Sequence, residues 1–149
     1  MKLSSKLFLS LFLLSAALIS GCASVPIASM DEDAKAKTFA TADGKSNIYV
    51  YRDESFGGAI PMTVALDGKV AGQTGPKTYF LFVVDPGPHE VSSLAENNSI
   101  LKLNAEAGKS YFIWQEVKMG ILYARTKLNL VDEEEGKEGV LETTLAATK

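Results

Sequence analysis

The stretch Thr78-Tyr-Phe-Leu-Phe-Val-Val84 decides the fold, because an extended chain with this sequence is apolar on both of its faces. Aromatic and β-branched side chains such as these favour a strand. Residues 78–84 are therefore predicted to form a central strand that other parts of the chain cover on both faces. The two apolar sets are Phe80, Phe82 and Val84 on one face and Tyr79, Leu81 and Val83 on the other.

Alternating patterns on either side of this strand predict further short strands separated by turns. Ile48–Arg52 is β-branched and aromatic, and Asp67-Gly68 offers the positive φ angles of a tight hairpin between residues 61–67 and 69–74. The Asp85-Pro-Gly-Pro88 sequence is typical of another turn. Further strands are expected at residues 89–95, 100–105, 110–118 and 121–131, the last with Leu122, Ala124, Leu128 and Leu130 on one face.

About seven to eight closely spaced strands of this kind predict a mainly β chain. We expect an antiparallel β-sandwich, with a small barrel as the alternative, because a parallel sheet would need crossover helices that the sequence does not offer between these strands. Ser29 and Glu32 form a capping box for a short helix over residues 30–37. A second helix is expected around residues 134–146, where Val140, Leu141 and Leu145 have helical spacing.

The N-terminus has the pattern of a secretory signal. Lys2 and Lys6 precede an apolar run over residues 7–19, which is well short of the ~20 residues that span a bilayer. The run ends in Ile19-Ser20-Gly21-Cys22, which resembles the cleavage motif of bacterial lipoproteins. That resemblance implies a diacylglyceryl thioether on the Cys22 thiol, removal of the preceding peptide and acylation of the new amino group. An ordinary secretory signal with a chance cysteine is the alternative.

The motif implies a division of the chain into a signal peptide (1–21), a lipid-anchored leash with a short helix (22–46), a β-sandwich domain (47–131) and an acidic, helical tail (132–149). Ala23 follows the cysteine, which in lipoprotein sorting implies the outer membrane rather than the inner one. Cys22 is the only cysteine, so the sequence excludes disulfides. The formal charge of −3 makes nucleic acid an unfavourable partner.

The body from about Ile48 to Leu130 also resembles a domain-of-unknown-function family of predicted bacterial lipoproteins. The residues that carry this resemblance are Ile48-Tyr-Val-Tyr-Arg52, Leu66-Asp-Gly-Lys-Val70, Pro86-Gly-Pro-His-Glu-Val91 and Gly108-Lys-Ser-Tyr-Phe112. These are turn and strand motifs, so the resemblance implies a small β-sandwich and transfers no catalytic residue.

Few residues suggest catalysis or metal binding. His89 is the only histidine, so it could supply a single imidazole to a zinc site, and no Gly-x-Ser-x-Gly elbow accompanies it as the base of a triad. The acidic run 132–135 places its carboxylates on consecutive positions, which cannot converge on calcium, and it favours a helix start. We therefore expect no catalytic residue, no metal ion and no cofactor.

Aromatic and arginine side chains form the candidate binding face. These residues are Tyr49, Tyr51, Arg52, Trp114 and Arg125. They could stack against a carbohydrate or peptide, although strand alternation normally buries about half of such aromatics, and ordinary ion pairs would explain the arginines.

Together these observations predict a non-enzymatic lipoprotein of the bacterial envelope, held to the lipid bilayer through Cys22. Its body would bind another envelope protein, peptidoglycan or a small ligand. The alternatives are a periplasmic hydrolase that uses carboxylates such as Asp85 and Glu116, and a structural subunit of an envelope complex.

Overall fold

The computed structural model describes residues 25–55, 58 and 60–149, which form two packed β-sheets and two helices. The first sheet has the order β8-β7-β1-β4-β9, and the second has the order β3-β2-β5-β6. The mainly β sandwich with one helix near each end is confirmed. The elements are α1 (Met30–Ala36), β1 (Ser46–Arg52), β2 (Met62–Leu66), β3 (Lys69–Thr74), β4 (Thr78–Val84), β5 (Gly87–Leu94), β6 (Asn98–Ala105), β7 (Ser110–Met119), β8 (Ala124–Val131), α2 (Glu133–Leu141) and β9 (Thr144–Leu145).

The main core lies between the two sheets and is built by the period-two alternation of the strands. Ile48 and Val50 of β1 face inward with Phe80 of β4, against Val64 and Val91 of the second sheet. All five side chains are fully buried. Each apolar side chain of this size contributes ~1.5–3 kcal/mol when it leaves water, so this layer is the main source of stability.

Strands β1 and β7 pair in parallel, whereas the sequence predicted only antiparallel pairing. Ile48 lies beside Tyr111, and Tyr51 lies beside Trp114. No crossover helix is needed, because the chain between these two strands forms β4 and the whole second sheet before it returns. The second sheet itself therefore acts as the crossover connection.

The Asp67-Gly68 hairpin forms as predicted. Asp67 has a φ of 50° and Gly68 a φ of 78°, and they join β2 to β3. Positive φ at both central positions gives the twist that matches two antiparallel strands. The two residues thus fix the pairing of Leu66 with Lys69.

The central strand β4 is covered on both faces only in its first half. Its inward residues are buried, and so is Tyr79 on the outer face. The prediction of full double cover is wrong for Val83, which is 55% exposed. The cluster of side chains on the outer face includes Tyr79 and Leu81 but does not extend to Val83.

Helix α2 covers the outer face of the first sheet and encloses a second, aromatic core. Tyr49, Tyr51 and Phe112 lie under it, and the rings of Tyr49 and Phe112 stack with centroids 5.0 Å apart. The helix ends at Leu141, so the predicted extension to residue 146 is wrong. Residues 144–145 instead form β9, and the predicted tail is part of the body.

Strand β8 begins at Ala124 rather than at residue 121. Ala124 and Leu128 face the core as predicted, but Leu122 is 85% exposed and Leu130 is 54% exposed. The prediction that all four share one face is therefore wrong for Leu122, which precedes the strand, whereas alternation keeps Leu130 on the face of Ala124 and Leu128. Residues 120–123 form the turn between β7 and β8 instead.

Helix α1 starts with the predicted capping box: the Glu32 amide donates to Ser29 Oγ at 3.3 Å, and the Ser29 amide donates to Glu32 Oε2 at 2.9 Å. The described residues before it lie against the body. Val25 packs against the main core, and Ile27 pairs with Ala146 beside β9.

The predicted motif Ile19-Ser20-Gly21-Cys22 and the predicted signal segment lie outside the described residues. Within the part of the chain that the structure describes, neither helix has the length and apolar character needed to cross a bilayer.

Candidate functional site

The five residues of the predicted binding face do not share one exposed surface. Tyr49 and Tyr51 are buried beneath α2, at 0% and 2% exposure, and Arg52 is buried between the sheets. Alternation along β1 places Arg52 on the inner side and the two tyrosines on the outer side. The predicted stacking face is therefore wrong for these three residues, since two different layers of the protein cover them.

Arg52 instead closes the loop that follows β1. Its Nη1 donates to the backbone carbonyl of Ile60 at 2.8 Å, which ties the end of β1 to the residues before β2. Burial lowers the pKa of the Arg52 guanidinium, while the negative charge of Glu54 acts in the opposite direction. Burial likewise raises the pKa of the Glu54 carboxyl. Arg52 is thus an interior residue and not part of an exposed binding face.

Trp114 and Tyr51 do meet, at a small cleft beside α2. Trp114 is half-buried, and its Nε1 donates to Asp53 Oδ1 at 3.0 Å. The cleft has a volume of about 190 Å³ and is rich in carboxylates. Its lining consists of Tyr51, Asp53, Trp114, Glu135, Glu138, Gly139 and Glu142.

Arg125 lies apart from that cleft, near the start of β8. It is directly opposite Lys118 of β7, and its Nε is 3.7 Å from Glu96 Oε1. Its side chain is 49% exposed. Arg125 therefore belongs to the end of the β7–β8 hairpin and not to the aromatic cluster.

A groove of about 610 Å³ lies beside β4, and sequence reasoning missed it. Leu81 and Val83 form its floor where β9 has ended, and α1 and the C-terminal residues form its walls. It opens next to Ala28, in the segment just before α1. The residues that line it are Ala28, Glu32, Lys35, Ala36, Ala40, Thr41, Ala42, Asn47, Leu81, Val83 and Leu145–Thr148.

His89 holds two turns together. Its Nδ1 is 2.7 Å from Asp67 Oδ2, and its Nε2 is 2.8 Å from the carbonyl oxygen of Asp85. The carbonyl of Asp85, followed by the carboxylate of Asp67, raises the pKa of His89 above 6.5. Both ring nitrogens are engaged, so neither is available as a general base. Among the described residues, no three His, Cys, Asp or Glu side chains converge as metal ligands would.

The two carboxylates of the hydrolase alternative lie at opposite ends of the first sheet. Asp85 follows β4 beside the start of β1, whereas Glu116 lies on β7 beyond the level of Tyr51. A hydrogen bond from Lys45 lowers the pKa of Asp85, and one from Lys118 lowers the pKa of Glu116. Two separated carboxylates that both favour ionisation do not provide the acid and base pair of a hydrolase.

A chain of buried polar side chains crosses the main core. Thr74 Oγ1 donates to Gln115 Oε1 at 2.5 Å, and Gln115 Nε2 donates to Ser93 Oγ at 2.6 Å. Ser93 in turn is 2.7 Å from Thr126 Oγ1. Because polar groups buried without partners are costly, this chain fixes one alignment of the two sheets.

Comparison with known proteins identifies the family. Residues 42–126, more than half of the chain, match the model of a family described as "Protein of unknown function (DUF2846)". The chain belongs to this family. The predicted membership of a domain-of-unknown-function family is thereby confirmed.

An uncharacterized protein of Haemophilus influenzae is 37% identical over 135 residues, which cover 89% of this chain and 80% of the relative. The DUF2846 match runs from just before β1 into β8 and includes the His89 contacts and the buried polar chain. Helices α1 and α2 and strand β9 lie outside it. The groove is thus formed partly by the family's shared sandwich and partly by the flanking segments.

Proposed function

We propose that this DUF2846 protein is a lipid-anchored protein of the bacterial envelope, and that it binds partners at its surface rather than acting as an enzyme. The observation that carries the proposal is the Ile19-Ser20-Gly21-Cys22 motif, at the end of an apolar run that is too short to span a bilayer. Acyl chains on Cys22 would hold the protein firmly, since each buried CH₂ contributes about 0.8 kcal/mol.

The distance between this motif and the folded body supports the proposal. Only Ala23 and Ser24 separate Cys22 from Val25, which already packs on the core. Three peptide units span at most about 11 Å, so an acylated Cys22 would keep the body next to the bilayer. Ala23 after the cysteine favours delivery to the outer membrane.

The tethered body would act by presenting a binding surface to a partner. A groove of about 610 Å³ next to Ala28 offers apolar and polar contacts to an envelope protein, to peptidoglycan or to a small ligand. Tethering raises the local concentration of such a partner, so that a weak interaction is effective. The engaged ring nitrogens of His89 and the separation of Asp85 from Glu116 favour this role over that of a hydrolase.

The anchor is tested by the mass of the N-terminal peptide from separated inner and outer membranes, with Cys22→Ser as the matched variant. A triacylated Cys22 peptide in the outer-membrane fraction, absent from the variant, is the expected result. An unmodified N-terminus in the soluble periplasm would overturn the anchor.

The binding role is tested by photo-crosslinking in living cells from position 83 in the groove, with position 102 on the exposed surface of β6 as the control. A single saturable adduct from position 83 alone is expected of a binding module. Equal labelling from both positions would contradict the groove as the contact site. Loss of a neighbouring complex when the gene is deleted, without such an adduct, would favour the structural subunit.

A further inference from the structure

We propose that the small cleft between α2 and the end of β1 binds a guanidinium group, presented by an arginine side chain of a partner protein. The acidic cleft, as we name it, is lined by Tyr51, Asp53, Trp114 and residues of α2 with its C-cap. Its volume of about 190 Å³ is below the ~300–1,000 Å³ of pockets that hold whole small molecules, so it suits a single head group. This site is separate from the groove beside β4, and the inference does not depend on the anchor at Cys22.

The glutamates of the acidic cleft form a stripe of like charge. Glu135, Glu138 and Glu142 follow one another at intervals of three and four residues, so their side chains lie on one face. Like charges at this spacing destabilise a helix, and carboxylates near its C-terminus also oppose the helix dipole. Within α2, all of which the structure describes, the last turn has no basic residue. A cation bound against the stripe would relieve this repulsion.

The protein's own cations neutralise only part of this charge. Lys77 Nζ lies 3.0 Å from Glu142 Oε2 at one end of the stripe. In the described part of the chain, the carboxylates of Glu135 and Glu138 form no ion pair and accept no hydrogen bond. The acidic cleft therefore keeps a net negative charge and offers acceptor oxygens to a ligand.

A buried hydroxyl provides independent evidence for a ligand. Tyr51 is 2% exposed, its ring lies against Gly139, and both residues line the acidic cleft. Among the described residues, none forms a hydrogen bond with the Tyr51 hydroxyl. Burial raises the pKa of this hydroxyl, and the negative charges of Asp53 and Glu135 raise it further. Since polar groups buried this deeply normally have a hydrogen-bond partner, a donor from a ligand would complete the site.

The neighbouring indole ring favours a guanidinium over other cations. Trp114 lies beside Tyr51 in the parallel register of β7 and β1, and it is half-buried at the cleft. A guanidinium is planar and weakly hydrated, stacks on aromatic rings and carries five N–H donors for carboxylate and hydroxyl oxygens. A metal ion would need converging ligands, and no three His, Cys, Asp or Glu side chains of the described residues converge in this way.

The test uses the fluorescence of Trp114, the only tryptophan of the chain, as a direct signal from the acidic cleft. The full chain in a non-ionic detergent is titrated with acetyl-arginine amide, and with acetyl-citrulline amide as the uncharged analogue of similar shape. We expect a saturable change in emission with the arginine compound alone. Equal responses to the two compounds, or no saturable response, would overturn the cationic site.

Three variants separate the acidic cleft from the general charge of α2. Tyr51→Phe should weaken binding of acetyl-arginine amide about tenfold, since it removes only the hydroxyl. Glu138→Gln should weaken binding by up to about fivefold, whereas Glu134→Gln, exposed on the same helix outside the cleft, should leave it nearly unchanged. Equal weakening by the two glutamine variants, with no effect of Tyr51→Phe, would overturn the cleft as the binding site.

Further probes test the chemistry and the source of the ligand. Acetyl-lysine amide that binds as tightly as the arginine compound would overturn the selectivity for a guanidinium. A glycine-flanked arginine peptide should bind more tightly than methylguanidinium, because its backbone adds contacts at the rim. The reverse order would assign the site to a free guanidinium compound and overturn the partner protein. None of these outcomes depends on acylation, so the anchor at Cys22 stands or falls separately.

Discussion

Gly139 of α2 lies directly against the ring of Tyr51 in β1, with no space between them for a Cβ atom. Gly136, one turn earlier, meets Phe112 in the same way. Glycine normally weakens a helix interior, yet here it lets the helix backbone approach the aromatic core closely. These two glycines therefore let α2 pack closely over Tyr51 and Phe112.

Replacement of Gly139 by alanine should therefore destabilise the protein. An added methyl group would overlap the buried Tyr51 ring and push α2 away from the sheet, at a cost of about 1–3 kcal/mol in the free energy of unfolding. Helix propensity alone predicts the opposite sign, a gain of up to about 1 kcal/mol. Urea unfolding of Gly139→Ala beside the exposed helix variant Glu134→Ala distinguishes the two, and a Gly139→Ala protein as stable as wild type would refute the close packing.

The buried polar chain through Gln115 predicts a second loss of stability. Gln115→Leu removes one hydrogen-bond partner from each of the buried hydroxyls of Thr74 and Ser93, and we expect the free energy of unfolding to fall by about 2–3 kcal/mol. Adding Thr74→Val should cost less than the sum of the two single changes, because the hydrogen bond between Thr74 and Gln115 can be lost only once. Chemical denaturation measures this, with the exposed variant Gln73→Leu as a control, and strict additivity would contradict the coupling.

The contacts of His89 predict a pH dependence. Hydrogen bonding to Asp85 and Asp67 raises the pKa of His89 above 6.5, so its stabilisation is complete below that value and is lost as the pH rises through the raised pKa. The pKa of Asp67 is lowered: burial opposes the shift, but the Glu90 amide and His89 outweigh it. The stabilisation by Asp67 is therefore lost only as the pH falls below 3.8.

Accordingly, His89→Gln should reduce the free energy of unfolding more at about pH 5 than at about pH 9. Denaturation at both pH values measures this difference, and Gln73→Leu, which changes no titratable group, supplies the baseline. A loss of equal size at both pH values would show that His89 contributes through packing alone.

The hydrogen bond between Asp33 and the Leu145 amide connects α1 to β9, and its removal should loosen β9 locally. Its Oδ1 accepts the Leu145 amide at 2.8 Å, and its Oδ2 lies 2.9 Å from Lys37 Nζ. Asp33→Ala should cost about 1–3 kcal/mol and release β9 from α1. Hydrogen exchange should then speed up at residues 144–147 more than in β1, whereas Asp31→Ala, on the exposed side of the same helix, should leave β9 protected. Unchanged exchange at β9 would show that the Asp33 hydrogen bond to Leu145 does not hold this strand in place.

Local patterns in the sequence were sufficient for most of the secondary structure. Alternation along residues 46–52 and 78–84, the positive φ angles at Asp67-Gly68 and the capping box at Ser29 all act within a few residues of one another. The parallel pairing of β1 with β7 depends on residues more than 50 positions apart, and local periodicity carries no such information.

The candidate sites were harder to predict for the same reason. The aromatic pattern of β1 is compatible with an exposed stacking face and equally with a buried layer. The packing of α2 over the sheet decides between the two, and the sequence of β1 does not reveal that packing. Gly136 and Gly139 were the available signal, because two glycines in a helix suggest a close contact. The groove depends on where β9 ends beside β4, which the sequence of β4 does not reveal.

The pairing of the first described residues with the C-terminal strand has a mechanical consequence. The Ala28 amide donates to the Leu145 carbonyl and the Ala147 amide to the Pro26 carbonyl, both at 2.9 Å, so tension applied through Cys22 would reach these bonds before any strand of the central sheet. Once these bonds and the contacts of α1 with Leu145 and Tyr49 break, residues 25–45 could extend to about 70 Å while β1 to β8 stay folded. The segment between Cys22 and β1 would thus be compact without tension and extended under tension.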